Sequence, residues 1–366
     1  MSYTPENTTI AVIGGGNIGT QLACVCASKG YEVRLLSSKP SLFSGDLEIV
    51  DENDNVTRGH ISLVSSSYAE VVSGCRIVFV THPAFRLKEV ADSLLPFVSS
   101  DMVICVLPGT GGSEFSFRKC IDAGASLCGL QRVPSVARLE EYGRRVRCEG
   151  LRSSLFLGAI PQSSASDMCS FISSLWEVPC TALPNYLSVT LTPSNPILHT
   201  TRLCTLFGDY SAGKVYPRNP LFYGEWSDES SKLLLACDEE LQEMLLLMPS
   251  LDLSNVRSLK LHYESSTVPE MTAKLSGIRS LHGLSSPMTQ VPGGWVPDFS
   301  SRYFTADFPY GLAIIEEFAS ILGYSAPNIK ATMDWYRSVT GDMSELELSS
   351  YGLSSLDDIY ELYGRV

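Results

Sequence analysis

Two patterns of apolar positions divide the chain. Over the first half, short continuous apolar runs at 9–13, 31–36, 76–81, 102–107 and 125–131 read as strands of the kind buried in a parallel sheet. Between them lie helical stretches at 68–73, 84–97 and 164–176. Residues 47–50 and 56–64 flank the polar run Asp51-Glu52-Asn53-Asp54-Asn55, which predicts a hairpin inserted after the second strand. After Pro193 the 3.6-residue repeat takes over, with amphipathic helices predicted at 228–248, 271–281, 310–322 and 329–339. Alternating strands and helices followed by helices alone predict an α/β chain of two domains, 1–185 and 186–366, the second mainly α-helical.

The turn after the first strand is Gly14-Gly15-Gly16-Asn17-Ile18-Gly19, a G-x-G-x-x-G spacing between a strand and a helix. Gly14 suits the tight turn, Gly16 lets backbone approach a pyrophosphate, and Gly19 lets the helix pack against the strand. That helix carries Ile18, Leu22 and Val25 on one face and stops at Gly30; its N-terminal N–H groups, at Asn17 and Ile18, would face phosphates. The first domain therefore reads as a Rossmann dinucleotide-binding domain. The second strand ends in Leu36-Ser37-Ser38-Lys39, without the carboxylate that accepts the ribose hydroxyls of NAD. Two hydroxyls and a cation at Ser37, Ser38 and Lys39 favour NADP(H), with NAD(H) as the alternative; a plain solvated turn would look the same. Thr81-His82-Pro83 closes a buried strand, which puts Thr81 and Pro83 on the ligand side of the sheet, as it does the permissive loop Pro108-Gly109-Thr110-Gly111-Gly112.

Composition narrows the partners. A net charge of −13 argues against nucleic acid, and no apolar run reaches the length of a membrane span. Residues 1–9 are polar, so no signal peptide is expected and the protein is read as cytoplasmic. The eleven cysteines are an odd number, scattered in apolar contexts, and fit buried reduced thiols with no metal site. A homodimer through the helical half is compatible with these patterns.

Two further stretches carry chemistry. Ser194-Asn195-Pro196-Ile197-Leu198-His199 reads as a helix start with Asn195 as cap, Pro196 first in the helix and His199 one turn on. Alone, His199 reads more readily as a packed or surface histidine than as a catalytic one. In 300–311, Arg302 can bind a carboxylate and Asp307 can orient a histidine, although a surface arginine and a capping aspartate would give the same pattern. Taken together, the glycine turn, Pro108-Gly109 with Gly112, Asn195-Pro196 with His199, and Arg302-Tyr303 with Asp307 and Pro309-Tyr310-Gly311-Leu312 resemble the octopine/nopaline (opine) dehydrogenase family over nearly the whole chain. The resemblance implies an NAD(P)-dependent oxidoreductase that condenses the amino group of an amino acid with an α-keto acid, or runs the reverse oxidation. It further implies His199, Asp307 and Arg302 as catalytic residues, with Arg302 also binding substrate. Gln131 stands where some relatives place an acidic residue facing the amino acid, which makes a basic amino acid a less secure substrate. The alternatives are a ketopantoate-reductase-like keto- or hydroxy-acid dehydrogenase, and an NAD(P)-binding sensor without catalysis.

Overall fold

A computed structural model describes residues 3–342 and 347–364. The chain divides into two compact units, Met1–Thr190 with Tyr363–Val366, and Leu191–Leu362.

In the first unit, β1 (Thr9–Ile13), β2 (Glu32–Leu36), β5 (Leu63–Ser65), β6 (Ile77–Val80), β7 (Val103–Val106), β8 (Ser126–Leu130), β11 (Leu155–Ile160) and β12 (Cys180–Ala182) form one sheet in the order β12-β11-β8-β7-β6-β1-β2-β5. Strands from β5 to β8 across the sheet pair in parallel, and β11 runs antiparallel to β8. The chain lays down β1, β2 and β5 outward on one side, then returns to lay β6, β7 and β8 on the other. The order therefore reverses between β1 and β6, which is where open α/β sheets bind ligands. Helices α1 (Asn17–Ser28), α2 (Tyr68–Val72), α3 (Leu87–Leu94), α4 (Ser113–Ser116), α5 (Arg118–Asp122), α6 (Ala165–Trp176) and α7 (Leu187–Thr190) complete the unit. Strands β6 and β7 are buried at every position, as apolar runs between two layers must be.

The expected inserted hairpin is present as β3 (Asp46–Val50) and β4 (Val56–His60), but it is half of a second sheet. That sheet, β4-β3-β10-β9, recruits β9 (Val136–Glu141) and β10 (Arg145–Glu149) from ninety residues downstream. The end of the predicted 56–64 strand instead leaves the hairpin and pairs with β2 as β5. On the outer face, Arg145 and Arg147 of β10 lie against Glu48 and Glu140, charges that mask the strand pattern.

The division falls at Thr190/Leu191 rather than 185/186. Tyr186 and α7 pack into the first unit, where the Tyr186 hydroxyl meets Ser113 Oγ at 2.7 Å and Gln131 Nε2 donates to the Ser188 carbonyl at 3.1 Å. The second unit holds α8 (Ser194–Leu206), α9 (Asp228–Leu245), α10 (Leu259–His262), α11 (Val268–Ser276), the hairpin β13 (Met288–Val291) and β14 (Gly294–Pro297), α12 (Arg302–Thr305), α13 (Ala313–Ile321), α14 (Pro327–Thr340) and most of α15 (Leu356–Tyr363). Helix α11 starts three residues before the predicted 271 because Thr267 and Glu270 form a capping box. The predicted 310–322 helix is instead a π-helical turn, Phe308–Leu312, leading into α13.

Glu114 on α4 is buried, and its Oε1 accepts hydrogen bonds from the hydroxyls of Thr190 and of Tyr363 at 2.7 Å. Burial, opposed by those two bonds, raises the carboxyl from the ordinary 4.5 to about 7. A folded-state value above the unfolded one adds stability that is full below pH 4.5 and lost as pH rises to 7. Chemical denaturation between pH 5 and 8 should show a loss of up to ~3 kcal/mol in the native chain. Glu114→Gln, which keeps the acceptor, should not show that loss.

Candidate active site

The phosphate turn is built as its glycines require. Gly14 has φ +113°, and a Cβ on Gly19 would lie 1.7 Å from the Gly14 carbonyl oxygen, so α1 packs against the turn only as glycine. Above Gly16 the space a Cβ would take is open. Those features fit a dinucleotide: the pyrophosphate would sit over Gly16 against the N–H groups of the first turn of α1, at Asn17, Ile18 and Gly19, which a helix leaves without intrahelical partners. The Asn17 side chain is committed elsewhere, its Oδ1 accepting the Leu139 amide at 2.9 Å. Across the switch point, Thr81 Oγ1 donates to Ile13 O at 3.1 Å and Gly14 O at 3.3 Å, tying the end of β6 to the glycine turn. His82 Nδ1 meets the same Ile13 carbonyl at 3.2 Å, and burial lowers its pKa, which keeps the ring neutral. Pro83 leads into the next helical turn.

At the end of β2, Ser37 is buried and its hydroxyl accepts the Lys39 amide at 3.1 Å. Ser38 and Lys39 are exposed, with the Lys39 ammonium 5.8 Å from the centre of the Tyr142 ring. Gln131, at the carboxyl end of β8, holds α7 through its side-chain amide, as described above.

In the second unit, His199 and Asp307, 108 positions apart, are hydrogen-bonded: Nδ1 lies 2.8 Å from Asp307 Oδ2. The two side chains are only 13% and 18% exposed. Close packing brings them together. Helix α8 begins at Ser194 with Pro193 ahead of it, so Asn195 is not its cap and Pro196 sits within the first turn. A Cβ on Gly311 would lie 3.1 Å from the Pro196 ring, so the π-helical turn after Asp307 reaches the start of α8 because residue 311 has no side chain. Such turns often occur at functional positions. Tyr303 lies 4.7 Å edge-on to the imidazole, and Phe222 lies 5.7 Å from it. Arg302 is exposed on α12, next to Tyr303, and its guanidinium makes no hydrogen bond or ion pair to a described residue.

Two residues absent from the sequence-based expectations complete the arrangement. The Tyr223 hydroxyl lies 3.0 Å from His199 Nε2, so both ring nitrogens are engaged. Burial, with smaller contributions from Tyr303, Tyr263 and Asp307, raises the Tyr223 pKa far above the ordinary phenol value. Arg202, one turn after His199 on α8, is buried and donates to the carbonyls of Phe222 at 3.0 Å, Leu221 at 3.3 Å and Glu225 at 2.8 Å. It thereby fixes the segment that carries Tyr223. An arginine between Thr201 and Leu203, at a buried helix position, is the one local signal that could have pointed to this clamp.

A dinucleotide turn in one unit and a carboxylate-oriented histidine in the other define a nicotinamide-dependent oxidoreductase. The profile of the NAD/NADP octopine/nopaline dehydrogenase α-helical domain matches residues 182–340, and that of the NAD-dependent glycerol-3-phosphate dehydrogenase N-terminus matches 9–112. Octopine dehydrogenase of Pecten maximus is 26% identical, over 91% of this chain and 90% of its own length. Tauropine dehydrogenase of Arabella iricolor is 25% identical, over 96% and 99%. A solved octopine dehydrogenase holding NADH and pyruvate has the same fold, with a TM-score of 0.82 at 24% identity over 98% of both chains. Residues 182–340 thus match the octopine/nopaline dehydrogenase α-helical domain, and the chain is similar to opine dehydrogenases over nearly its whole length. No helix among the described residues is long and apolar enough to cross a membrane.

Gly19→Ala tests the phosphate turn. The added methyl must open the turn or push α1 away, and titration of nicotinamide fluorescence should show binding weakened by at least ~100-fold, about 2.7 kcal/mol.

Proposed function

We propose that the protein condenses the amino group of an amino acid with the carbonyl of an α-keto acid and reduces the resulting imine, or runs the reverse oxidation. The observation that carries this reading is the His199–Asp307 pair, with Tyr303, the neighbour of Arg302 in α12, edge-on to the imidazole. Bound NAD(P)H supplies the hydride. The amino nitrogen attacks the keto carbon, water leaves as the imine forms, the hydride adds to that carbon, and one proton goes to nitrogen. Asp307, a hydrogen-bond acceptor, takes the Nδ1–H and leaves Nε2 as the ring nitrogen through which the proton passes. His199 gives up the proton in reduction and takes it in oxidation. Arg302 holds the keto-acid carboxylate through two parallel hydrogen bonds, fixing which carbon is presented. A ketopantoate-reductase-like enzyme would more often rely on a lysine for this step, and a silent sensor would have no use for an oriented imidazole.

His199→Ala should bind NADPH like the native protein while kcat in a keto-acid and amino-acid screen falls by roughly 10²–10⁴-fold. Undiminished turnover removes His199 from the role. Gln131 is proposed to face the amino acid, where an uncharged amide disfavours a basic side chain.

NADP(H) is the proposed cofactor preference, because Ser38 and Lys39 are exposed at the end of β2, where the sequence has no carboxylate. Ser37 contributes from below, since its hydroxyl already holds the turn. In steady-state comparison, kcat/KM should favour NADPH over NADH in the native chain, and Lys39→Glu should reverse that order. Better use of NADH by the native chain overturns the preference.

A further inference from the structure

Both nitrogens of the His199 ring are occupied, Nδ1 by Asp307 at 2.8 Å and Nε2 by the Tyr223 hydroxyl at 3.0 Å. A proton entering or leaving Nε2 therefore meets the phenol oxygen first. We propose that Tyr223 is a catalytic proton relay, the outer member of an Asp307–His199–Tyr223 chain, and that its hydroxyl is the group that exchanges the proton with the substrate nitrogen.

The proposal rests on the assignment of His199 as acid and base, and adds the path. In the neutral ring Nδ1–H donates to Asp307, so Nε2 can only accept, and the Tyr223 O–H donates to it. In the protonated ring Nε2–H donates to the phenol oxygen, which frees the phenol hydrogen to point outward. Reduction then runs as one concerted shift: Oη–H breaks as the substrate N–H forms, and Nε2–H breaks as a new Oη–H forms. The net change is one proton from imidazolium to substrate, with the phenol neutral before and after. Burial forbids the charged alternative, since it holds the Tyr223 hydroxyl far from ionisation.

The surroundings fix this geometry. His199 and Arg202 share one face of α8, and the Arg202 guanidinium clamps the carbonyls on both sides of Tyr223. Tyr223 itself is 6% exposed and stacks on Trp226 at 6.1 Å, while Arg202 lies 5.5 Å from the centre of the same indole. Rotation of the phenol away from Nε2 would break this packing. A hydroxyl held so rigidly at the only basic lone pair of the ring is part of the proton path.

Tyr223→Phe removes the oxygen and keeps the ring, so the fold should persist. Its kcat should fall about 100-fold with the KM for NADPH unchanged. The proton inventory in mixed H2O and D2O should change from the curved, two-proton form of the native enzyme to a linear one. A kcat loss with the native inventory intact would mean that Tyr223 only shapes the site, and would overturn the relay, as would undiminished turnover. A readout without turnover uses chain labelled with ¹⁵N-histidine, with the His199 signals assigned by their loss in His199→Gln. In the native protein Nε2 should resonate as a hydrogen-bonded acceptor, and in Tyr223→Phe it should move to the unbonded acceptor position. An Nε2 signal indifferent to the substitution refutes the relay even if no substrate pair is turned over. Absence of turnover in the native chain with the ¹⁵N shift present would instead count against the condensation reading alone.

Discussion

The hydrogen bond between His199 and Asp307 is the constraint around which the helical unit is arranged. A carboxylate and an imidazole that are largely removed from water need each other, because either left alone would bear the full cost of desolvation. Proline at 196 and glycine at 311 let the two backbones approach, the π-helical turn swings the chain after Asp307 into line, and Phe222 and Tyr303 wall the ring with aromatic edges. Arg202 then supplies from α8 what a loop cannot supply for itself, N–H donors for three of its carbonyls from one rigid fork. Its burial lowers its pKa to about 10, which leaves it charged at neutral pH and its donors available.

The dinucleotide unit follows a different logic. Its site is made of backbone, so the sequence specifies it by what is missing: side chains at Gly14, Gly16 and Gly19. Strand order places that turn at the reversal between β1 and β6, and Thr81 locks the two strand ends together through two carbonyls. This unit needs no charged pair to hold a phosphate, since helix geometry leaves N–H groups unpaired at the start of α1.

What could be read from the amino acids alone follows from that contrast. The turn at 14–19 and the strands β1, β2, β6, β7 and β8 were legible because each is local and set by a run of adjacent residues. The second sheet was not: β3 and β4 form a hairpin by local rules, but their partners β10 and β9 lie far along the chain and carry Arg145, Arg147 and Glu140 on an outward face, which breaks the apolar signal. The start of α8 was misplaced because Asn195 next to Pro196 imitates a cap, whereas the chain is already helical at Ser194. His199 and Asp307 were linked beforehand only by family resemblance, since no spacing rule spans 108 residues. Tyr223 escaped notice for the same reason, as a single tyrosine between apolar neighbours looks like core.

Glu114 shows that burial of charge in this protein is not confined to the histidine site. One of its oxygens takes both hydroxyls offered to it, and the other has no partner among the described residues. A carboxylate in such a place is held by its neighbours' donors and opposed by its own desolvation, and the second effect is the larger. Its two donors, Thr190 and Tyr363, are the residues at which the chain leaves the first unit and later re-enters it. A single buried carboxyl thus fastens both ends of the excursion into the helical unit. The protonated form suits this task better than the ionised one, because a neutral acid still accepts both hydroxyls and carries no charge to desolvate.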